Sequence, residues 1–131
     1  MTISLNHTIV PARDKRASAG FLAEILGLPV GEPVGPFIPV RIGELTTLDF
    51  ADVDFATRGV GDIAPHHYAF AVSEDEFDRI FERIVKAGLD YYAEPHEPKR
   101  HGEINTWRGG RAVYFDDPDG HIMEVLTTPA E

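Results

Sequence analysis

Residues His67–Gly88 read HYAFAVSEDEFDRIFERIVKAG and contain a complete strand–helix unit. His67 to Val72 is a short apolar run of strand length. Ser73 and Glu76 stand at the spacing of a capping box. Phe77, Ile80, Phe81 and Ile84 then recur at i, i+3, i+4 and i+7, which puts them on one face of a helix over about Glu74 to Ala87. Gly88 follows where a left-handed residue closes a helix.

The same plan occurs earlier in the chain. Ser4 to Val10 is a strand, Asp14 can cap a helix over Asp14 to Leu26, and Ala17, Phe21 and Ile25 share its stripe before Gly27. His7 precedes Gly27 by 20 residues and His67 precedes Gly88 by 21. Further strands are expected at Pro39–Ile42, Thr46–Ala51, Asp90–Ala93, Ala112–Asp116 and His121–Thr127. The last two flank Asp117-Pro118-Asp119-Gly120, a turn in which proline presets φ and glycine accepts φ > 0. The pattern predicts an α+β fold of two βαβββ modules, about residues 3–57 and 65–128, within one domain spanning 1–131. Only two later strands are clear in the first module. The alternative is an α+β domain whose two helices are unrelated. Arg58 to Pro65, with two glycines and a proline, is the connector.

Composition limits the partners. The chain has 22 acidic and 12 basic residues and a formal net charge of -10. Such a surface repels phosphate backbones and anionic membranes, which argues against nucleic-acid or membrane partners. The 43% of hydrophobic residues suffices for a core. There is no cysteine, so disulfides and thiolate ligands are excluded and any metal must sit on His, Asp or Glu. No signal peptide is evident, and no apolar run approaches the roughly 20 residues of a membrane span. A cytoplasmic, soluble protein is the expectation.

Two histidines and one glutamate lie on three of the predicted strands. His7 and His67 open the two modules, and Glu124 sits on the last strand. Two imidazoles and a carboxylate hold Fe(II) and related divalent ions and leave coordination positions open. A substrate with neighbouring oxygens can chelate there. Strand alternation puts Glu124 between Ile122 and Leu126 on one face, where an unpaired carboxylate is costly. A glutamate alone in a strand more often faces solvent or pairs with an arginine. Alternation also separates His66, beside Tyr68, Phe70 and Val72, from His67, beside Ala69 and Ala71. His67 is therefore the ligand candidate and His66 structural. Asp49, on the first-module counterpart of the Glu124 strand, is an optional fourth ligand or a polar residue on the open sheet face. His96, Lys99, Arg100, His101, Arg108 and Arg111 form a basic patch. The long loop Glu94–Gly110, with Trp107, is either a lid that attracts an anionic substrate or a solvated loop.

Leu5-Asn6-His7, His67-Tyr68-Ala69-Phe70 and the run from Tyr114 to Glu124 resemble the glyoxalase, bleomycin-resistance and dioxygenase superfamily, the vicinal oxygen chelate proteins. The resemblance runs from Leu5 to about Thr127. It implies a cup-shaped mixed sheet with helices outside, usually in a homodimer, acting on a small-molecule substrate. It implies one divalent metal (Fe, Mn, Ni or Zn) on His7, His67 and Glu124. Tyr114 and Glu124 are the expected catalytic residues, and Phe50, Trp107, Arg108 and Tyr114 the expected substrate contacts. Fosfomycin transferases carry lysine and serine before the tyrosine and an arginine after the last ligand. Here Ile104, Arg108 and Ala112 stand at comparable positions and nothing basic follows Glu124, which argues against fosfomycin. The expected activity is that of a lyase or dioxygenase. The competing reading is a metal-free drug- or metabolite-binding protein. In an exchanged dimer, His67 would come from the partner.

Overall fold

The computed structural model describes residues 2–56, 62–106 and 109–127. The connector residues 58–61, and Trp107 and Arg108 of the long loop, lie outside them. In order come β1 (His7–Ala12), α1 (Lys15–Leu26), β2 (Ile38–Ile42), β3 (Thr46–Asp52), α2 (Val53–Ala56), β4 (His67–Val72), α3 (Glu74–Lys86), β5 (Tyr91–Tyr92), β6 (Ala112–Asp116) and β7 (Ile122–Thr127). The chain divides into two compact units, Met1–Ala64 and Pro65–Glu131. Each has its own mixed sheet, ordered β1-β3-β2 in the first and β4-β7-β6-β5 in the second.

The expected βαβββ order is complete in the second unit. β4 pairs with β7 in parallel, and β7–β6 and β6–β5 are antiparallel. The first unit keeps the parallel pair of its outer strands, β1 with β3, and the antiparallel β3–β2. Among its described residues no strand forms between α1 and β2. That stretch carries Pro29, Pro33 and Pro36, each lacking the N–H a ladder needs. It contributes one bond, Gly31 N–H to the Pro39 carbonyl at 2.9 Å, and a bridge between Val34 and Phe37.

Both long helices are set by local chemistry. The Asp14 carboxylate accepts from the Arg16 and Ala17 N–H groups. Ser73 and Glu76 form the expected reciprocal box, the Ser73 Oγ accepting from Glu76 N–H at 3.1 Å. The helices end alike. Leu28 N–H reaches the Ala23 carbonyl and Gly27 N–H the Glu24 carbonyl, while Leu89 reaches Ile84 and Gly88 reaches Val85. Gly27 and Gly88 hold φ of 74° and 70°, the left-handed turn that makes these paired bonds.

One face of each sheet is buried beneath its helix. Val10, Val40, Leu48 and Phe50 form the first core with Leu22 and Ile25 of α1. Phe70, Val113, Phe115, Met123 and Val125 form the second with Phe77, Ile80 and Ile84 of α3. Phe50, expected as a substrate contact, belongs to this buried set. It is 0% exposed and pairs with Val10 and Ile38. Alternation along β3 turns it away from the face that carries His7. No helix among the described residues is long and apolar enough to cross a membrane.

Candidate metal centre

In the second unit the face opposite the helix carries the expected chemistry. His67 pairs with Ile122, Ala69 with Glu124, and Glu124 with Tyr114, so His67, Glu124 and Tyr114 project from the same side. The His67 Nε2 lies 3.0 Å from the Glu124 Oε1, and the two side chains are 43% and 13% exposed. Two donors held at about 2.1 Å from one ion, at a right angle, are themselves about 3 Å apart. The two atoms are in direct hydrogen-bonding contact, and the same separation is compatible with a shared divalent ion. The small Ala69 and Ala71 leave this face open beside His67. The Tyr114 ring lies 6.0 Å from the His67 ring.

His7 occupies the corresponding place in the first unit. It lies on β1 opposite Thr47, and two residues on Ile9 pairs with Asp49. In the second unit His67 is likewise followed, two residues on, by Ala69 opposite Glu124. Asp49 is thus the register counterpart of Glu124. The exposed His7 ring is oriented by Asn6, with Nδ1 2.8 Å from the Asn6 Oδ1. Among the described residues no cluster of three His, Asp or Glu side chains suited to one ion forms within the chain. The residues brought together are His67 and Glu124.

Behind the sheet lies a polar cluster. His66 Nδ1 is 2.6 Å from the Tyr68 hydroxyl, and His66 N–H donates to His121 Nδ1 at 2.9 Å. His66 is thus structural, as alternation implied. Burial, aided by His121, pushes its pKa down, and burial pushes the Tyr68 phenol up to about 12. Asp117 Oδ1 accepts from the Asp119 and His121 N–H groups, both at 2.9 Å. Its Oδ2 is buried without a hydrogen-bond partner among the described residues.

That arrangement has a pH signature. Burial raises the Asp117 pKa above its ordinary value, outweighing the two backbone donors and His121. A raised carboxyl contributes stability at low pH that is lost as pH climbs from about 4 through the folded value. Wild type should therefore lose stability relative to Asp117→Asn as pH rises from about 4 to 7. Urea unfolding of both proteins across that range measures the difference. A flat difference would contradict the assignment.

The sequence-level reading missed the neighbours of Tyr114. Tyr92 on β5 pairs with Tyr114, and their rings stack at 5.8 Å. Burial and the Asp116 carboxylate, which accepts the Tyr92 hydroxyl proton at 2.5 Å, raise the phenol's pKa strongly. Tyr92 therefore stays protonated at neutral pH. The only sequence signal was the Tyr91-Tyr92 doublet, whose facing depends on the β5–β6 register.

Three of the six residues of the expected basic patch meet a carboxylate. Arg111 pairs with Glu74 at 2.9 Å and Asp78 at 2.8 Å, Arg100 with Glu94 at 2.9 Å, and His101 with Asp90 at 3.0 Å. Its loop is also tied down. Asn105 exchanges backbone bonds with Ala112, and Ala93 and Glu94 donate to the Lys99 carbonyl.

Residues 4–125 match the Glyoxalase/Bleomycin resistance protein/Dioxygenase superfamily. The solved structure of Oxidase ChaP-H2 is similar at 57% identity and a TM-score of 0.88, covering 98% of this chain and 96% of that one. The glutathione transferase FosA of Serratia marcescens is 28% identical over 127 residues, 95% of this chain and 81% of that protein. The metallothiol transferase FosB of Shouchella clausii is 38% identical over 61 residues, 47% of this chain and 37% of that protein. The latter match takes in well under two thirds of the relative's length. With the module topology and a match over most of its length, the chain belongs to the glyoxalase/bleomycin resistance protein/dioxygenase superfamily.

Proposed function

We propose that this protein is a metal-dependent oxidase or dioxygenase of that superfamily, acting on a small substrate that chelates through neighbouring oxygens. The observation that carries the reading is the His67–Glu124 pair, 3.0 Å apart beside Tyr114 on the sheet face opposite α3. The similarity to Oxidase ChaP-H2 over nearly the whole chain favours oxidation over the lyase alternative. His67, Glu124 and His7 would hold the ion, with Asp49 as an optional fourth ligand. Both modules would act as one domain in a homodimer, with His67 supplied by either chain. Bound there, a divalent metal acts as a Lewis acid or an oxygen-activating centre. The chain's own part is to position. Asn6 orients His7, and the Tyr114 ring, held by Tyr92, forms a wall against which substrate is oriented. Trp107 and Arg108 remain expected substrate contacts.

The test is metal depletion and reloading. Protein reloaded anaerobically with Fe(II), Mn(II), Ni(II) or Zn(II) is assayed for oxygen uptake with catechols and for turnover of 2-oxoaldehyde–thiol adducts. Uptake with a catechol supports the oxidative reading, and adduct turnover without oxygen uptake supports the lyase. Fosfomycin should be left unmodified. A second reading, a metal-free binding protein, is favoured by one feature of the first unit. A cavity of about 580 Å³ is lined by Ile9, Phe37, Asp54, Phe55 and Ala56. Ligand binding that persists when the protein takes up no metal would select this reading.

A further inference from the structure

Resting on the proposed metal site, we propose that Lys99 is a substrate-recognition residue that binds a carboxylate carried by the substrate at a distance from its chelating oxygens. Among the described members of the basic patch, Arg100, His101 and Arg111 each meet a carboxylate. Lys99 meets none. Its ammonium instead lies 4.9 Å from the centre of the Tyr92 ring. That ring is 2% exposed and stacks on Tyr114. Lys99 is itself half-buried.

These contacts place Lys99 at one end of a continuous row. Glu124 pairs with Tyr114 and Tyr114 with Tyr92, so the row crosses β7, β6 and β5 on one face. Strands lie about 4.8 Å apart, so Tyr92, against which Lys99 rests, stands roughly 10 Å across the sheet from Glu124. In a chain of net charge -10, an anion is repelled almost everywhere. A cation with no carboxylate partner among the described residues, partly withdrawn from water over an aromatic ring, is a place where an anion is attracted. The fitting ligand is therefore a vicinal diol that carries a carboxylate on the side of the molecule away from its hydroxyls.

The probes are 6,7-dihydroxy-2-naphthoate and 2,3-dihydroxynaphthalene, which differ by the carboxylate. Calorimetry on metal-loaded protein should show the acid binding about tenfold tighter, the scale of one charge-assisted hydrogen bond. Lys99→Met should erase that preference and leave the affinity for 2,3-dihydroxynaphthalene unchanged. Lys99→Arg should retain part of it. A preference that survives Lys99→Met, or none in wild type, overturns the proposal while leaving the metal reading intact. A second arm needs no metal. Titration of apo protein with 2-naphthoate, followed by NMR at Tyr92 and His101, should give shifts that 2-naphthalenemethanol does not give and that Lys99→Met removes. Shifts of that kind support the Lys99 subsite even if the protein binds no metal, and their absence counts against it.

Discussion

Glu124→Ala should weaken divalent-metal binding by more than about 100-fold, since loss even of groups that only orient a ligand costs about 10–100-fold. The carboxylate is mostly buried, with 13% of its side chain exposed, and its Oε1 faces His67 Nε2. Its strand neighbours on that face are Ile122 and Leu126. A carboxylate held among aliphatic groups needs a positive partner. Removing the side chain takes away the one anionic donor of this pair and leaves the β7 backbone untouched. The melting temperature should change little. Glu124→Gln keeps the shape without the charge and should fall between wild type and alanine. Equilibrium dialysis with elemental analysis measures the affinity, and circular dichroism confirms the fold. An alanine variant that retains metal at wild-type affinity would remove Glu124 from the ligand set.

Phe50→Ala should be the most destabilising single change, at about 3–5 kcal/mol. Phe50 is 0% exposed, on the core face of β3 with Leu48, between strand partners Val10 and Ile38. Truncation leaves a cavity that these strand-borne neighbours cannot close without breaking register. The melting temperature should drop by something on the order of 10–20 °C. Phe50→Leu keeps most of the volume and should cost less than about 1.5 kcal/mol. Thermal and urea unfolding measure both. If Phe50 touched substrate instead, Phe50→Leu would raise KM at an unchanged melting temperature.

The fate of Phe50 illustrates how far the sequence could be read. Alternation separated His66 from His67, and contact between His66, Tyr68 and His121 bears this out. The same rule applies to Asp49 and Phe50, which are adjacent on β3 and cannot serve one face. An open-face Asp49 already implied a core Phe50. The two helices were legible to within a residue because their caps and glycines act locally. The lost strand of the first module was less so, because three prolines remove donors without marking what replaces the ladder. Tyr92 and Lys99 were illegible for a different reason. Their place beside Tyr114 depends on register across three strands and on a loop folding back, and neither is encoded in the spacing of nearby residues.

The parallel pairing of β4 with β7 also bears on synthesis. The strand that opens the second unit finds its neighbour only when residues 122–127 arrive, since β7 lies between β4 and β6. While the ribosome is still making the Asp117–Gly120 turn, β4 has an unsatisfied edge and α3 has only part of its sheet to cover. Closure of the sheet and arrival of Glu124 are then one event. His67 meets its carboxylate partner only once β7 has emerged and paired with β4, so a shorter nascent chain offers a passing metal ion a lone imidazole there.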